Sequence, residues 1–333
     1  MPLDVVMDVD TGVDDALALI LAVRSPALNV IAVSCVAGNG DVDTVTDATL
    51  RVLDAAGAPE DLPVAKGCAR PLIEDLHAAP FIHGVDCLGD LDPPVPRTTD
   101  RALHEKHAVP MLVDIFRERA RAEDPVTLIA LAPLTNIAMA LRIDEEACKK
   151  GIKRIFWMGG AVSSGGNYMA WSEANAAYDP EAASIVLGCG IPITMYPWDL
   201  FMNVEFSASE LAALGIVNPA SANECKHSGP EVAARLMFRE MRQWEKDTAV
   251  LGDAGTVAGV IDPDAFVTKA HNVRVELTGQ HTRGMTVVDL RQFVDPPDLP
   301  QGAANVDVVM SADIPRLKRV FQDAVFSEMP KKE

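Results

Sequence analysis

Short apolar, β-branched runs alternate along this chain with stretches whose apolar positions recur at helical spacing. The first run, Leu3 to Asp8, predicts a buried strand, and Ala16 to Val23 predicts the helix after it. A second strand is expected from Asn29 to Val36, followed by a helix from about Asp41 to Ala56. Further strands are expected at Val126–Leu131, Lys153–Met158 and Ile191–Met195, separated by helices such as Thr135–Arg142 and Pro180–Leu187. Such alternation implies βαβ units, hence an α/β fold with a mostly parallel central sheet flanked by helices.

Between Arg70 and Thr99 the periodicity dissolves into Pro, Gly, Asp and His, the signature of a long surface loop, a class of segment that is often a functional lid or binding loop. The chain reads helical again from Ser221 to Val260. Strands at His271–Thr278, Met285–Leu290 and Asn305–Met310 and a helix near Ile314–Phe326 complete the pattern. No repeat, low-complexity tract or linker interrupts it, so residues 1–333 are expected to form a single domain.

With 49% hydrophobic residues in 333, the chain can bury a large core. It has no apolar stretch of about 18 residues to cross a bilayer and no signal-peptide pattern, so a cytoplasmic protein is expected. The net charge of −19 argues against binding nucleic-acid backbone or an anionic membrane, both of which need clustered Lys and Arg. Cys35, Cys68, Cys87, Cys148, Cys189 and Cys225 lie far apart and are read as reduced, forming neither a disulfide framework nor a zinc site.

Solubility explains most of the negative charge, but not its concentration at the start. Asp8-Val9-Asp10-Thr11-Gly12-Val13-Asp14-Asp15 places four carboxylates in eight residues. Asp8 and Asp10 share a face where the first strand ends, and Gly12 permits a sharp turn. Asp14 and Asp15 fall in the first turn of the next helix, where its dipole favours negative charge. Read blandly, the last two cap a helix and the others face solvent. Yet the carboxyl end of a strand in an open α/β sheet is where ligands bind. Carboxylates this close must take up protons or share a cation, and oxygen donors alone suit Ca²⁺ or Mg²⁺.

The opening DVDTGVDDALAL resembles the signature of the inosine-uridine-preferring nucleoside hydrolase family. Further blocks resemble that family in order: Ala37–Asn39, His83–Gly89, Ala132–Ala138, Met158–Ala161, the set Asn167, Glu173 and Asn175, Asp179–Ala183, and Gly252–Pro263. The resemblance spans roughly residues 3 to 310. It implies a nucleoside-hydrolase-like sheet with the site at the C-terminal edge of the strands, and water cleaving the N-glycosidic bond of ribonucleosides to ribose and base. It further implies one Ca²⁺ held by Asp10, Asp15, the Leu131 carbonyl and Asp253, with Asp10 as general base toward the water on that ion. Leu131 departs from an expected threonine, a change that a main-chain ligand tolerates; read alone, it is core. Asp14, Asn39, His83, Met158, Asn167, Glu173, Asn175 and Asp253 would contact the substrate, and a homodimer or homotetramer is implied.

One departure bears on mechanism. Many members carry a His before the late Asp as acid for the departing base, and here Gly252 precedes Asp253. His83 is one candidate replacement, and equally a loop residue shaping the base pocket. Trp171, Trp198, Trp244 or Phe81 could instead supply a ring against the base, although aromatics are more often core. Two other functions stay open: a nucleoside- or ribose-binding relative without turnover, and a haloacid-dehalogenase-like phosphatase with Asp8 as nucleophile and Asp10 as acid/base.

Overall fold

Val5, Met7 and Val9 of strand β1 (Leu3–Val9) point into one apolar layer and Val6 into another, because successive side chains leave a strand on opposite faces. A strand buried on both sides belongs in the middle of a sheet, and β1 is there. The computed structural model describes residues 1–216, 227–291 and 303–327. Its remaining strands are β2 (Leu28–Cys35), β3 (Val64–Lys66), β4 (Val126–Ala130), β5 (Ile152–Met158), β6 (Ile193–Tyr196), β7 (Glu205–Ser207), β8 (Thr248–Val250), β9 (Phe266–His271), β10 (Val273–Val275), β11 (Thr286–Val288) and β12 (Val306–Ala312).

Eight of them form one sheet in the order β3-β2-β1-β4-β5-β6-β12-β9, parallel throughout except where β9 runs against β12. One face is covered by helices Val13–Arg24, Val42–Ala56, Gly229–Gln243, Asp253–Ile261 and Ile314–Val325. The other carries Ala108–Ala122, Thr135–Ile143, Glu145–Gly151 and Pro180–Leu187. The expected α/β architecture is therefore present. From β1 the chain proceeds outward through β2 and β3, then returns to place β4 on the other side of β1. That reversal opens a crevice beyond the ends of β1 and β4, the position favoured for ligands. Leu131 N–H donates to the Asp8 carbonyl at 2.9 Å and ties the two strand ends together there.

Several elements differ from the pattern reading. β3 is too short to give a periodicity, and helix Ala108–Ala122 follows directly on the irregular segment that obscured it. The span read as helical from Ser221 to Val260 holds two helices, Gly229–Gln243 and Asp253–Ile261, with β8 between them; residues 221–226, and with them Cys225, lie outside the described residues. The strand expected at His271–Thr278 is divided after His271. There the Asn305 side chain accepts from Val273 N–H at 2.8 Å and donates to the Val273 carbonyl at 3.0 Å, replacing the β12 backbone as the partner.

Candidate active site

Two helix starts bring the carboxylates together. After β1 the chain turns at Gly12 into helix Val13–Arg24, with Asp14 and Asp15 in its first turn. Asp15 Oδ2 accepts the Gly12 N–H at 2.9 Å, so this side chain also caps its own helix. Asp253 opens helix Asp253–Ile261 in a similar position. Asp14, Asp15 and Asp253 each bring a carboxylate oxygen within 4.8 Å of the other two, an arrangement that can hold a metal ion. Asp10 lies beside them rather than within that trio. Its Oδ2 accepts the Asn39 N–H at 2.8 Å, while Asn39 Nδ2 donates to Asp15 Oδ2 at 3.3 Å. Asn39 thus aligns two carboxylates in addition to lining the cleft above them.

Three of these side chains are costly to bury. Asp10, Asp15 and Asp253 are almost wholly inaccessible, and burial pushes each carboxyl well above its usual range, with repulsion among the aspartates adding to the shift. One buried oxygen on each, Oδ1, has no hydrogen-bond partner among the described residues. Backbone room is equally tight: a Cβ on Gly38 would fall 2.0 Å from Asp10 Oδ2.

The far wall of the cleft comes from β4, β5 and the loop after β5. Asn175 Nδ2 donates to the Leu131 carbonyl at 2.9 Å and to the Met158 carbonyl at 3.1 Å. Glu173 accepts N–H groups of Gly160, Asn175 and Ala176, which oppose a burial that pushes its carboxyl up to about 7. Asn167 Oδ1 accepts the Ala174 N–H at 2.8 Å. Asp14, Asn39, His83, Leu131, Met158, Asn167, Glu173, Asn175 and Asp253 all line one cleft of about 750 Å³, including space open to solvent. Asp10 and Asp15 lie beneath its floor.

Phe201, Tyr168 and Tyr178 also line the cleft, and the residue pattern had not singled them out. Phe201 follows Trp198 by one helical turn, a spacing that places both rings on one side. The rings stack with centroids 4.7 Å apart. Of the other aromatic candidates Phe81 reaches the cleft, whereas Trp171 and Trp244 do not line it.

Gly252 has φ +55°, and a Cβ there would meet Phe201 Cζ at 2.7 Å and Asp14 Cβ at 2.8 Å. Backbone and neighbours therefore both exclude a side chain at the place where a leaving-group acid was sought. His83 is buried, and its Nδ1 accepts the Val13 N–H at 3.2 Å. That bond assigns the ring proton to Nε2. Burial lowers its pKa, only partly opposed by Asp14, so the 3.7 Å approach of Nδ1 to Asp14 is not an ion pair.

Asp8 is fully buried below this layer, where its Oδ1 accepts from Ser34 Oγ at 2.5 Å and Asn136 Nδ2 at 2.9 Å. Burial pushes its carboxyl up to about 7. A nucleophile needs an approach path, and the fully buried Asp8 has none. The phosphatase alternative is thereby overturned.

The profile of the family described as inosine-uridine preferring nucleoside hydrolase matches residues 5–319. The chain belongs to this family. It is a nucleoside hydrolase, acting on the N-glycosidic bond that joins ribose to base. The pyrimidine-specific ribonucleoside hydrolase RihA of Photobacterium profundum is 36% identical over 298 residues, covering 88% of this chain and 91% of that protein. Among solved structures, a plant nucleoside hydrolase superposes with a TM-score of 0.84 at 30% identity, covering 98% of this chain and all of the other. The purine-preferring ribonucleoside hydrolase from Gardnerella vaginalis gives 0.81 at 28% identity, covering 97% and 98%. The single-domain, mostly parallel sheet of this hydrolase is the fold those enzymes share.

Proposed function

We propose that this hydrolase cleaves ribonucleosides with one Ca²⁺ held by Asp10, Asp15, Asp253 and the Leu131 carbonyl, and with Asp10 as general base. The observation that carries the reading is the set of three buried, unpartnered carboxylate oxygens on Asp10, Asp15 and Asp253. Such oxygens at a cleft floor, with pKa values raised by burial and mutual repulsion, fit a hard divalent cation. The Leu131 carbonyl uses one lone pair for Asn175 and keeps a second. When bound, the ion supplies positive charge that offsets the carboxylates and polarises oxygens in the cleft.

Asp10 takes a proton from the attacking water, whose oxygen bonds to the anomeric carbon of ribose. The C–N electron pair leaves with the base, which takes up a proton, and the ribose passes through an oxocarbenium-like state. Asp14, Asn167, Asn175 and Glu173 surround the position of the sugar hydroxyls, with Met158 beneath. His83 faces the base as a neutral Nε2–H donor, and Trp198, Phe201 and Phe81 give the base an apolar wall. Free Cys35, Cys68, Cys87, Cys148 and Cys189 support a reducing, cytoplasmic location, and none of the described helices is long and apolar enough to cross a membrane. A homodimer or homotetramer is proposed from the family resemblance.

The test is ribose release from inosine, adenosine, guanosine, uridine and cytidine, with and without a calcium chelator. Release that chelation abolishes is the expected result, and the best substrate identifies the base pocket. No release from any of the five, with calcium present and the protein folded, would sink the hydrolytic reading and favour binding without turnover.

Calcium should also stabilise the fold in a pH-dependent way. Asp10, Asp15 and Asp253 hold their protons more tightly folded than unfolded, so without metal their contribution to stability is full at low pH. It is lost as pH rises through their raised values. Ca²⁺ competes with those protons, so its thermal shift is expected to be larger at about pH 8 than at about pH 5, and to approach about 2.7 kcal/mol at a hundredfold excess over Kd. Equal shifts at both pH values would place the ion elsewhere.

A further inference from the structure

Asp199 lies in the turn after β6, between Trp198 and Phe201, and takes no part in the chemistry above. Its Oδ1 accepts the Ser163 N–H at 2.8 Å, the Ser164 N–H at 3.0 Å and the Ser163 hydroxyl at 3.0 Å. Its Oδ2 accepts the Val162 N–H at 2.7 Å. Burial opposes the charge, but these four donors outweigh it and the carboxyl sits below its usual range. Beside it, Trp198 N–H donates to the Gly160 carbonyl at 2.8 Å. The loop so gripped runs on to Asn167 and Tyr168, which line the cleft, while the turn that grips it carries Trp198 and Phe201, which line it too.

We infer that Asp199 is a positioning residue that fixes the sugar-side loop, with Asn167 and Tyr168, at a set distance from the aromatic wall of Trp198 and Phe201. This rests on the proposed assignment of Asn167 to the substrate. A carboxylate is suited to the task because one side chain satisfies three consecutive backbone N–H groups and a hydroxyl, and each charge-assisted bond is stronger than a neutral one. Other anchors hold the loop base: Gly160 N–H on Glu173 and Ala161 N–H on Thr286 Oγ1. Further along, Asn167 Oδ1 accepts the Ala174 N–H and the Tyr168 ring packs edge-on against Tyr178. Losing Asp199 therefore frees residues 162–164, leaves the strand ends in place, and lets the loop shift as a unit on its far anchors.

The experiment is steady-state kinetics of Asp199→Ala, Asp199→Asn, Asn167→Ala and the Asp199→Ala/Asn167→Ala double variant, at a temperature where melting curves show all four folded. Asp199→Ala is expected to raise KM about tenfold while kcat changes less than about threefold, the mark of lost positioning in the ground state. Asp199→Asn, which retains one acceptor oxygen, should recover part of that loss. In the Asn167→Ala background the Asp199 substitution should raise KM by less than about twofold, since both act through one loop. An unchanged KM in Asp199→Ala, or full additivity in the double variant, overturns the inference. If the unsubstituted chain releases no ribose, the hydrolytic proposal fails by itself. Titrating the intrinsic fluorescence with nucleoside then reads the same comparison as Kd.

Discussion

Asp10→Asn should lower kcat by about 10²- to 10⁴-fold, the range expected for a lost general base, and should do so without unfolding the protein. Asparagine preserves the shape of the side chain and offers an oxygen to the Asn39 N–H that Asp10 Oδ2 now accepts. It also removes one member of a buried, mutually repelling set of carboxylates. The metal-free variant is therefore expected to melt no lower than the parent at neutral pH, and above it at about pH 8, where the parent's repulsion is greatest. Ribose release at saturating nucleoside and calcium measures the first effect, and melting curves in chelator measure the second. A kcat within about tenfold of the parent would move the base to another residue. Collapse of the variant at every pH would mean that the Asp10 charge holds the fold together.

The second large effect concerns position 252. Gly252→His, which places an imidazole where the family resemblance implies a leaving-group acid, is expected to destabilise the fold and leave ribose release no faster. The backbone at φ +55° suits glycine, and holding another residue there costs about 1–3 kcal/mol. Fitting a side chain against Phe201 and Asp14 adds about 1–3 kcal/mol of overpacking. Phe201→Ala in the same chain should recover part of the second cost but not the first, a coupling that denaturant midpoints of the single and double variants can read. A Gly252→His variant with the parental midpoint and faster release would show that the site had room for the acid, and that Phe201 is not what displaced it.

These two positions illustrate what the linear pattern can carry. The strand–turn–helix at Asp8–Asp15 was legible because four charges crowd the end of an apolar run, where the strand end in an α/β sheet faces a crevice. Parallel βαβ order was legible from alternation alone. What sequence could not supply is distance. Asp14 and Asp253 approach each other through the sheet topology, and Asn39 reaches both Asp10 and Asp15 because β2 lies beside β1. Phe201 was not singled out, since nothing in its sequence neighbours signals that it fills the space beside Gly252. Trp171 and Trp244 erred the other way: as aromatics they were candidates for the base wall, and the fold directs them elsewhere. Short elements such as β3 and β8 stayed hidden because three residues are too few to express a period.

The carboxylates at the cleft floor also have a consequence for how the enzyme is made. Asp10 and Asp15 come from the first turn of the fold, and Asp253 joins them only after β6 and helix Gly229–Gln243 have been laid down. Helices Gly229–Gln243, Asp253–Ile261 and Ile314–Val325 cover one face of β1, so the sheet is closed over only when the C-terminal part of the chain has been made. Until then the nascent protein has no complete cation site, and by this reading it can neither capture the metal nor cut a nucleoside. Activity in a cell extract would thus count finished molecules: every turnover certifies that the two ends of the site, made far apart in time, have met.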